Sequence, residues 1–157
     1  MLKQTSITRY LPDEQAMLNW GGQLVQWLPN TCIIYLLGDL GAGKTTLVRG
    51  FLRALGYAGI VKSPTYTLVE SYHLGERTIH HFDFYRIKEA KELEFLGLPE
   101  YFSKDMTCFI EWPMGNMPAP DLSINIESLD TGRQLILTAG NPQGHEILER
   151  FANAPAA

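Results

Sequence analysis

Gly38, Gly43, Lys44 and Thr45 stand at the spacing G-x-x-x-x-G-K-S/T within "YLLGDLGAGKTTLVRGFL", Tyr35 to Leu52. Residues of these types at this spacing make a phosphate clamp when a strand precedes them and a helix follows. Glycine lets the backbone curl so that successive N–H groups face phosphate oxygens, and the helix N-terminus adds its partial positive charge. The run expected to touch a nucleotide is Asp39, Leu40, Gly41, Ala42, Gly43, Lys44, Thr45 and Thr46. Lys44 would reach the β- and γ-phosphates as a point charge, and the Thr45 hydroxyl would hold Mg²⁺.

A phosphate-bound Mg²⁺ takes one or two carboxylates as well, usually from the end of a neighbouring strand. Glu111 closes the apolar run "TCFIE" and Asp83 closes "HHFD". Either could reach the metal through water while the other orients the attacking water, so both are candidate catalytic and metal-binding acids. Thr65, in "SPTYTL", lies where a segment could sense the γ-phosphate and release it after hydrolysis; the same hexapeptide fits an ordinary turn equally well. His80 and His81 are adjacent on an expected strand, so they face opposite ways and do not chelate one ion. Arg86 could neutralise charge near the phosphates or pair with a partner's acid, and reads best as a surface ion-pair residue. Trp112 follows Glu111 directly, so strand alternation turns it away from the face that Glu111 takes.

These side chains need a frame. "TSITRY" is strand-like, and "PDEQAMLNWGGQLVQWL" is a helix whose Met17, Trp20, Leu24, Trp27 and Leu28 make one apolar face, with Gly21 and Gly22 each costing about 1 kcal/mol against alanine. "TCIIYLLG" reads as a buried strand and "KTTLVRGFLRALG" as a helix closed by Gly56. "TYTLVESYHL" and "RTIHHFDFYR" suggest a hairpin around Gly75. "KEAKELEFLGLPEYF" reads as a short acidic helix and "MTCFIEW" as a buried strand. "LSINIESL" and "RQLILTAG" alternate as a second hairpin, and "GHEILERFANAPAA" closes the chain as a helix and a loose tail.

At 157 residues and 45% apolar content the chain makes one domain, 1–157, with a single core. Thirteen basic and 17 acidic residues give a net charge of −4, and no basic run stands out, which argues against gripping nucleic acid directly. Cys32 and Cys108 sit in apolar runs and read as reduced core residues. Neither a secretory leader nor a membrane span is evident, so the expected location is cytoplasmic.

The N-K-x-D base-recognition tetrapeptide of guanine-specific GTPases does not occur, which favours adenine and hence ATP. Between Lys88 and Lys104 there is no arginine to form a kinase lid. "GDLGAGKTTL", "SPTYTLVE", "HFDFYR", "ELEFLGLPEYF" and "EWP", in this order and spacing, resemble the bacterial TsaE (YjeE) family. The resemblance runs from about Leu11 to Leu137.

It implies an α/β P-loop NTPase fold, a three-layer sandwich whose mostly parallel central sheet has antiparallel edge strands. It also implies a weak ATPase needed to make threonylcarbamoyladenosine in tRNAs that read codons starting with A. The family's partner is the TsaB–TsaD pair, which an ATP cycle would reset between turnovers, and tRNA would be met only through those partners. Carried over, Lys44 and Thr45 are the clamp, Thr65 the switch, Asp83 and Glu111 the metal and hydrolysis acids, and Trp112 is coupled to activity. The acidic segment "KEAKELEFL" could face a partner. Arg133, in "TGRQ", is a candidate adenine neighbour, because a guanidinium stacks on a base; a surface role fits it equally well. Two other classes compete: a small-molecule kinase, and a nucleotide-dependent binding module that needs no turnover.

Overall fold

Short apolar strands alternating with amphipathic helices bury most of their apolar surface when the strands share one sheet and the helices cover it. The computed structural model describes residues 5–102 and 105–154; the end of the loose tail expected in "GHEILERFANAPAA", residues 155–157, lies outside them. The strands are β1 (Ser6–Leu11), β2 (Cys32–Leu37), β3 (Val69–Leu74), β4 (Arg77–Asp83), β5 (Met106–Glu111), β6 (Leu122–Ser128) and β7 (Arg133–Ala139), and the helices are α1 (Glu14–Trp27), α2 (Lys44–Ala54), α3 (Leu98–Tyr101) and α4 (Pro142–Ala152).

All seven strands form one sheet in the order β1-β7-β6-β2-β5-β4-β3. The central four, β6, β2, β5 and β4, run parallel, whereas β7, β1 and β3 are antiparallel to their neighbours. This is the mixed α/β sheet the sequence suggested, with both expected hairpins present.

One face of the sheet carries α1, α2 and α4. Trp20, Leu24, Trp27, Leu47, Phe51 and Phe151 pack there against Ile34, Leu36, Ile79 and Phe109 of the strands. Trp20 and Trp27 are thus core residues, and the Phe151 ring meets Trp27 edge-on at 4.6 Å. The opposite face is covered more thinly. There Phe82, Phe84, Cys108 and Ile110 pack with Leu93 from a 3-10 helix over Ala90–Leu96. The continuous acidic helix expected in this region is broken, because Gly97 adopts a left-handed φ of 64° between the 3-10 helix and the single turn of α3.

Gly21 and Gly50 explain how α1 and α2 pack. A Cβ on Gly21 would lie 2.2 Å from the Leu47 carbonyl oxygen, and one on Gly50 would lie 2.1 Å from that of Leu18. The two backbones touch where the glycines leave room, so the helix-propensity penalty of Gly21 is offset by a contact that fixes α2. Gly22 is less constrained, with a Cβ there meeting its nearest neighbours at 3.4 Å.

Candidate functional site

The loop between β2 and α2 lies at the C-terminal end of the parallel strands, where open α/β sheets bind ligands. Asp13 caps α1 and Asn141 caps α4 with a side-chain oxygen, but α2 begins at Gly43, with φ of 116° and no capping side chain. A helix N-terminus has N–H groups without intrahelical partners. Here they open on the glycine loop, and the arrangement can cradle an anion.

Two cavities flank that loop. One, of about 300 Å³, is lined by Lys44, Thr45, Ser63, Thr65, Asp83, Glu111 and Trp112 together with the loop. The other, of about 210 Å³, lies between the loop, Pro12 to Glu14, Met17, Gly132 and Arg133. Gly41, Gly43 and Thr46 line both, so an elongated ligand can lie across the loop from one to the other.

Strand register brings the two acids together. Asp83 and Glu111 are direct partners on the parallel β4 and β5, and both are only 3% exposed. Asp83 Oδ2 accepts hydrogen bonds from the Ser63 hydroxyl at 2.7 Å and the Thr65 hydroxyl at 3.1 Å, while its Oδ1 accepts from the Tyr85 N–H at 2.9 Å. The segment "SPTYTL" is therefore tied to an acid of the cavity. It is also a tight turn, since the Leu68 N–H donates to the Pro64 carbonyl at 2.7 Å and Leu68 has a φ of 69°. The expected strand start at "TYTL" gives way to this turn, and β3 begins only at Val69.

Glu111 accepts from His81 Nε2 at 2.5 Å. His80 points to the other side of β4, where its Nδ1 lies 2.7 Å from the Ser71 hydroxyl, so the two histidines diverge as strand geometry requires. Lys44 is 4% exposed. Its Nζ donates to the Gly38 carbonyl at 2.6 Å and lies 4.1 Å from the centre of the Trp112 ring. Burial draws Lys44 below the ordinary lysine range, opposed by the negative charges of Glu111, Asp83 and Asp39.

Trp112 departs from the expectation. It lines the same cavity as Glu111, because β5 ends at Glu111 and Trp112 takes a left-handed φ of 57°, which breaks the alternation. Arg86 also differs. It takes part in none of the ion pairs among the described residues; its guanidinium instead stacks on Tyr66 of the tight turn, 4.5 Å from the ring centre. Arg133 reaches back from β7 to the loop, donating to the Ala42 carbonyl at 2.9 Å, and forms one wall of the smaller cavity.

Ser63 and His81 were not singled out from the sequence as site residues. The signal for His81 was its position two residues before Asp83, which puts both on one face of a strand. Ser63 carried no signal beyond its place beside Thr65.

The donor set fits a phosphate-held metal rather than an all-protein site. Among the described residues no group of three or more histidine, cysteine or acidic side chains could hold a metal, whereas the Thr45 hydroxyl and the carboxylates of Asp83 and Glu111 line one cavity beside an anion cradle. That is the partial set Mg²⁺ uses when a phosphate completes its shell. Among the described residues, too, no helix is long and apolar enough to cross a membrane.

The family model "Threonylcarbamoyl adenosine biosynthesis protein TsaE" matches residues 11–135. The chain is 44% identical over 156 residues to the tRNA threonylcarbamoyladenosine biosynthesis protein TsaE of Haemophilus influenzae, covering 94% of this chain and 99% of that one. It is 40% identical over 111 residues to the protein of the same name from Bacillus subtilis, covering 68% and 69% of the two chains. Among solved structures, that of YdiB from Bacillus subtilis superposes with a TM-score of 0.80 over 97% of each chain, at 26% identity.

Proposed function

The chain belongs to the TsaE family of tRNA threonylcarbamoyladenosine biosynthesis proteins, and from that premise we propose that it is a weak, Mg²⁺-dependent ATPase whose cycle resets a TsaB–TsaD partner complex. The observation that carries this reading is the convergence of Lys44, Thr45, Thr65, Asp83 and Glu111 on one cavity at the uncapped start of α2.

In this reading ATP lies across the glycine loop, its phosphates over the N-terminus of α2 and its base in the cavity walled by Met17 and Arg133. Lys44 exchanges its bond to the Gly38 carbonyl for phosphate oxygens. Thr45, with Asp83 or Glu111, would hold Mg²⁺, which supplies neutralisation of charge building on the phosphate oxygens. The remaining acid orients the attacking water. Burial of both carboxylates strengthens their electrostatic action on whatever shares the cavity.

The coupling to a partner runs through Asp83. The same carboxylate that faces the phosphate cavity holds Ser63 and Thr65, so a change at the nucleotide alters what holds the turn carrying Tyr66. Tyr66 is 83% exposed, and it can pass that change to another protein. Hydrolysis then shifts the balance between two loop states. The chain's negative charge fits contact with tRNA through partners only, and a cytoplasmic location accords with that substrate.

The deciding experiment measures threonylcarbamoyladenosine in cellular tRNA by mass spectrometry after depletion of the protein, with rescue by wild type or Lys44→Ala. The modified base should vanish and return only with wild type. Normal levels under full depletion would overturn the reading and bring the kinase alternative forward. Rescue by Lys44→Ala would show that the nucleotide cycle is dispensable.

A further inference from the structure

His81 sits beside the site and has no part in the chemistry above. Its ring has no exposed surface, and the Glu111 carboxylate it touches is 4% exposed. Ile79 and Phe109, both fully buried, are its neighbours on the same sheet face. A polar ring in such surroundings is costly unless its nitrogens find partners. Only Nε2 has one, the Glu111 oxygen Oε2, and Nδ1 is buried with no hydrogen-bond partner among the described residues.

That asymmetry fixes the direction of the bond. With its proton on Nε2 the ring donates to the carboxylate, and Nδ1 keeps a lone pair instead of presenting a buried N–H with nothing to meet. A histidine serving only to complete the core would be expected to satisfy both nitrogens or give way to an apolar residue. This one spends its single bond on an acid of the cavity.

A glutamate reaches its carboxylate through three rotatable bonds, and small misplacements of a reacting group carry large rate penalties. One bond from a ring that packing holds still removes most of that freedom, as outer partners do for metal-binding side chains. We infer that His81 is a positioning residue for Glu111: it clamps Oε2 and leaves Oε1 for the task Glu111 has in the cavity, whether at the metal or at the attacking water. The inference rests on the ATPase reading for its consequence, but the clamp itself can be tested without turnover.

The variants are His81→Phe, which keeps a flat buried ring without a donor, and His81→Gln, which returns an N–H at similar reach. ATP hydrolysis by the full chain with the TsaB–TsaD pair, and ADP binding in EDTA by calorimetry, are measured on each. His81→Phe should lower kcat by about tenfold or more with KM and ADP affinity within about twofold, and His81→Gln should recover most of the loss. Wild-type kcat in His81→Phe, or equal loss in both variants with weakened ADP binding, would overturn the positioning role.

Nitrogen NMR of the His81 ring supplies the second arm. Nε2 should carry the proton, and its resonance should move in Glu111→Ala. A proton on Nδ1, or a resonance indifferent to Glu111, would overturn the clamp. If wild type hydrolyses no ATP, the reading of function fails, and the NMR result still decides the clamp.

Discussion

The Lys44 ammonium rests over the face of Trp112, 4.1 Å from the ring centre, while donating to the Gly38 carbonyl at 2.6 Å. A cation over an indole perturbs its excited state, and Trp112 Nε1 is buried without a hydrogen-bond partner among the described residues. Any phosphate that draws Nζ away should therefore change the fluorescence of Trp112. Adding ADP or ATP to wild type should shift emission, Trp112→Phe should abolish the response, and Trp20→Phe should retain it. A response that survives Trp112→Phe would break the link.

Adjacent glycines of α1 should respond oppositely to the same change. Gly21→Ala forces a Cβ against the Leu47 carbonyl at 2.2 Å and should destabilise by about 1–3 kcal/mol as the helices separate. Gly22→Ala meets neighbours only at 3.4 Å and should be neutral or stabilising by up to about 1 kcal/mol, from helix propensity. Urea denaturation of the two variants measures both signs, and equal destabilisation would contradict the crossing geometry.

Asp83→Ala removes the acceptor for Ser63, Thr65 and the Tyr85 N–H together. Hydrogen exchange should speed up across residues 63–68 while the core strands stay protected. Hydrolysis should fall by about a hundredfold or more, the scale expected when a water-orienting or metal-binding acid is lost. Unchanged exchange in the turn would mean that Asp83 does not hold it.

Burial pushes both thiols up to about 12, with desolvation the largest cause for Cys32 and for Cys108. The thiolate is the reactive form, so the folded protein should consume no Ellman's reagent, and two equivalents should react in denaturant. A thiol that titrates without unfolding would place that cysteine elsewhere.

His80 is held below its ordinary value of 6.5, first by burial and secondarily by the charge of His73. The unfolded chain then binds a proton that the folded chain resists, so this contribution to stability is complete above about pH 6.5 and is lost as pH falls towards the folded value. Between about pH 7.5 and 5.5 the urea midpoint of wild type should drop more than that of His80→Asn. Parallel losses would remove His80 as the cause.

The glycine loop between β2 and α2 was legible because its signal is local: a glycine pattern between an apolar strand and a helix needs nothing distant to be read. The strand-end acids were legible for the same reason. Trp112 was misread because alternation holds only while the strand continues, and a single left-handed residue after Glu111 cancelled it. The acidic segment "KEAKELEFLGLPEYF" was read as one short helix, but Gly97 takes a left-handed φ of 64° and divides it into a 3-10 helix and the single turn of α3. The His81–Glu111 bond was hidden for a different reason. It depends on the register between β4 and β5, strands separated by more than twenty residues of chain, and no local pattern encodes register.

The pairing of Asp83 with Glu111 makes β4 and β5 a ruler with no slack. Removing or adding one residue within either strand would turn its acid to the opposite face of the sheet, into the layer of Phe82 and Ile110. Descendants of this sequence can thus change length freely only in the connections between strands, and a gap inside β4 or β5 in a divergent copy would mark a protein whose two acids no longer meet.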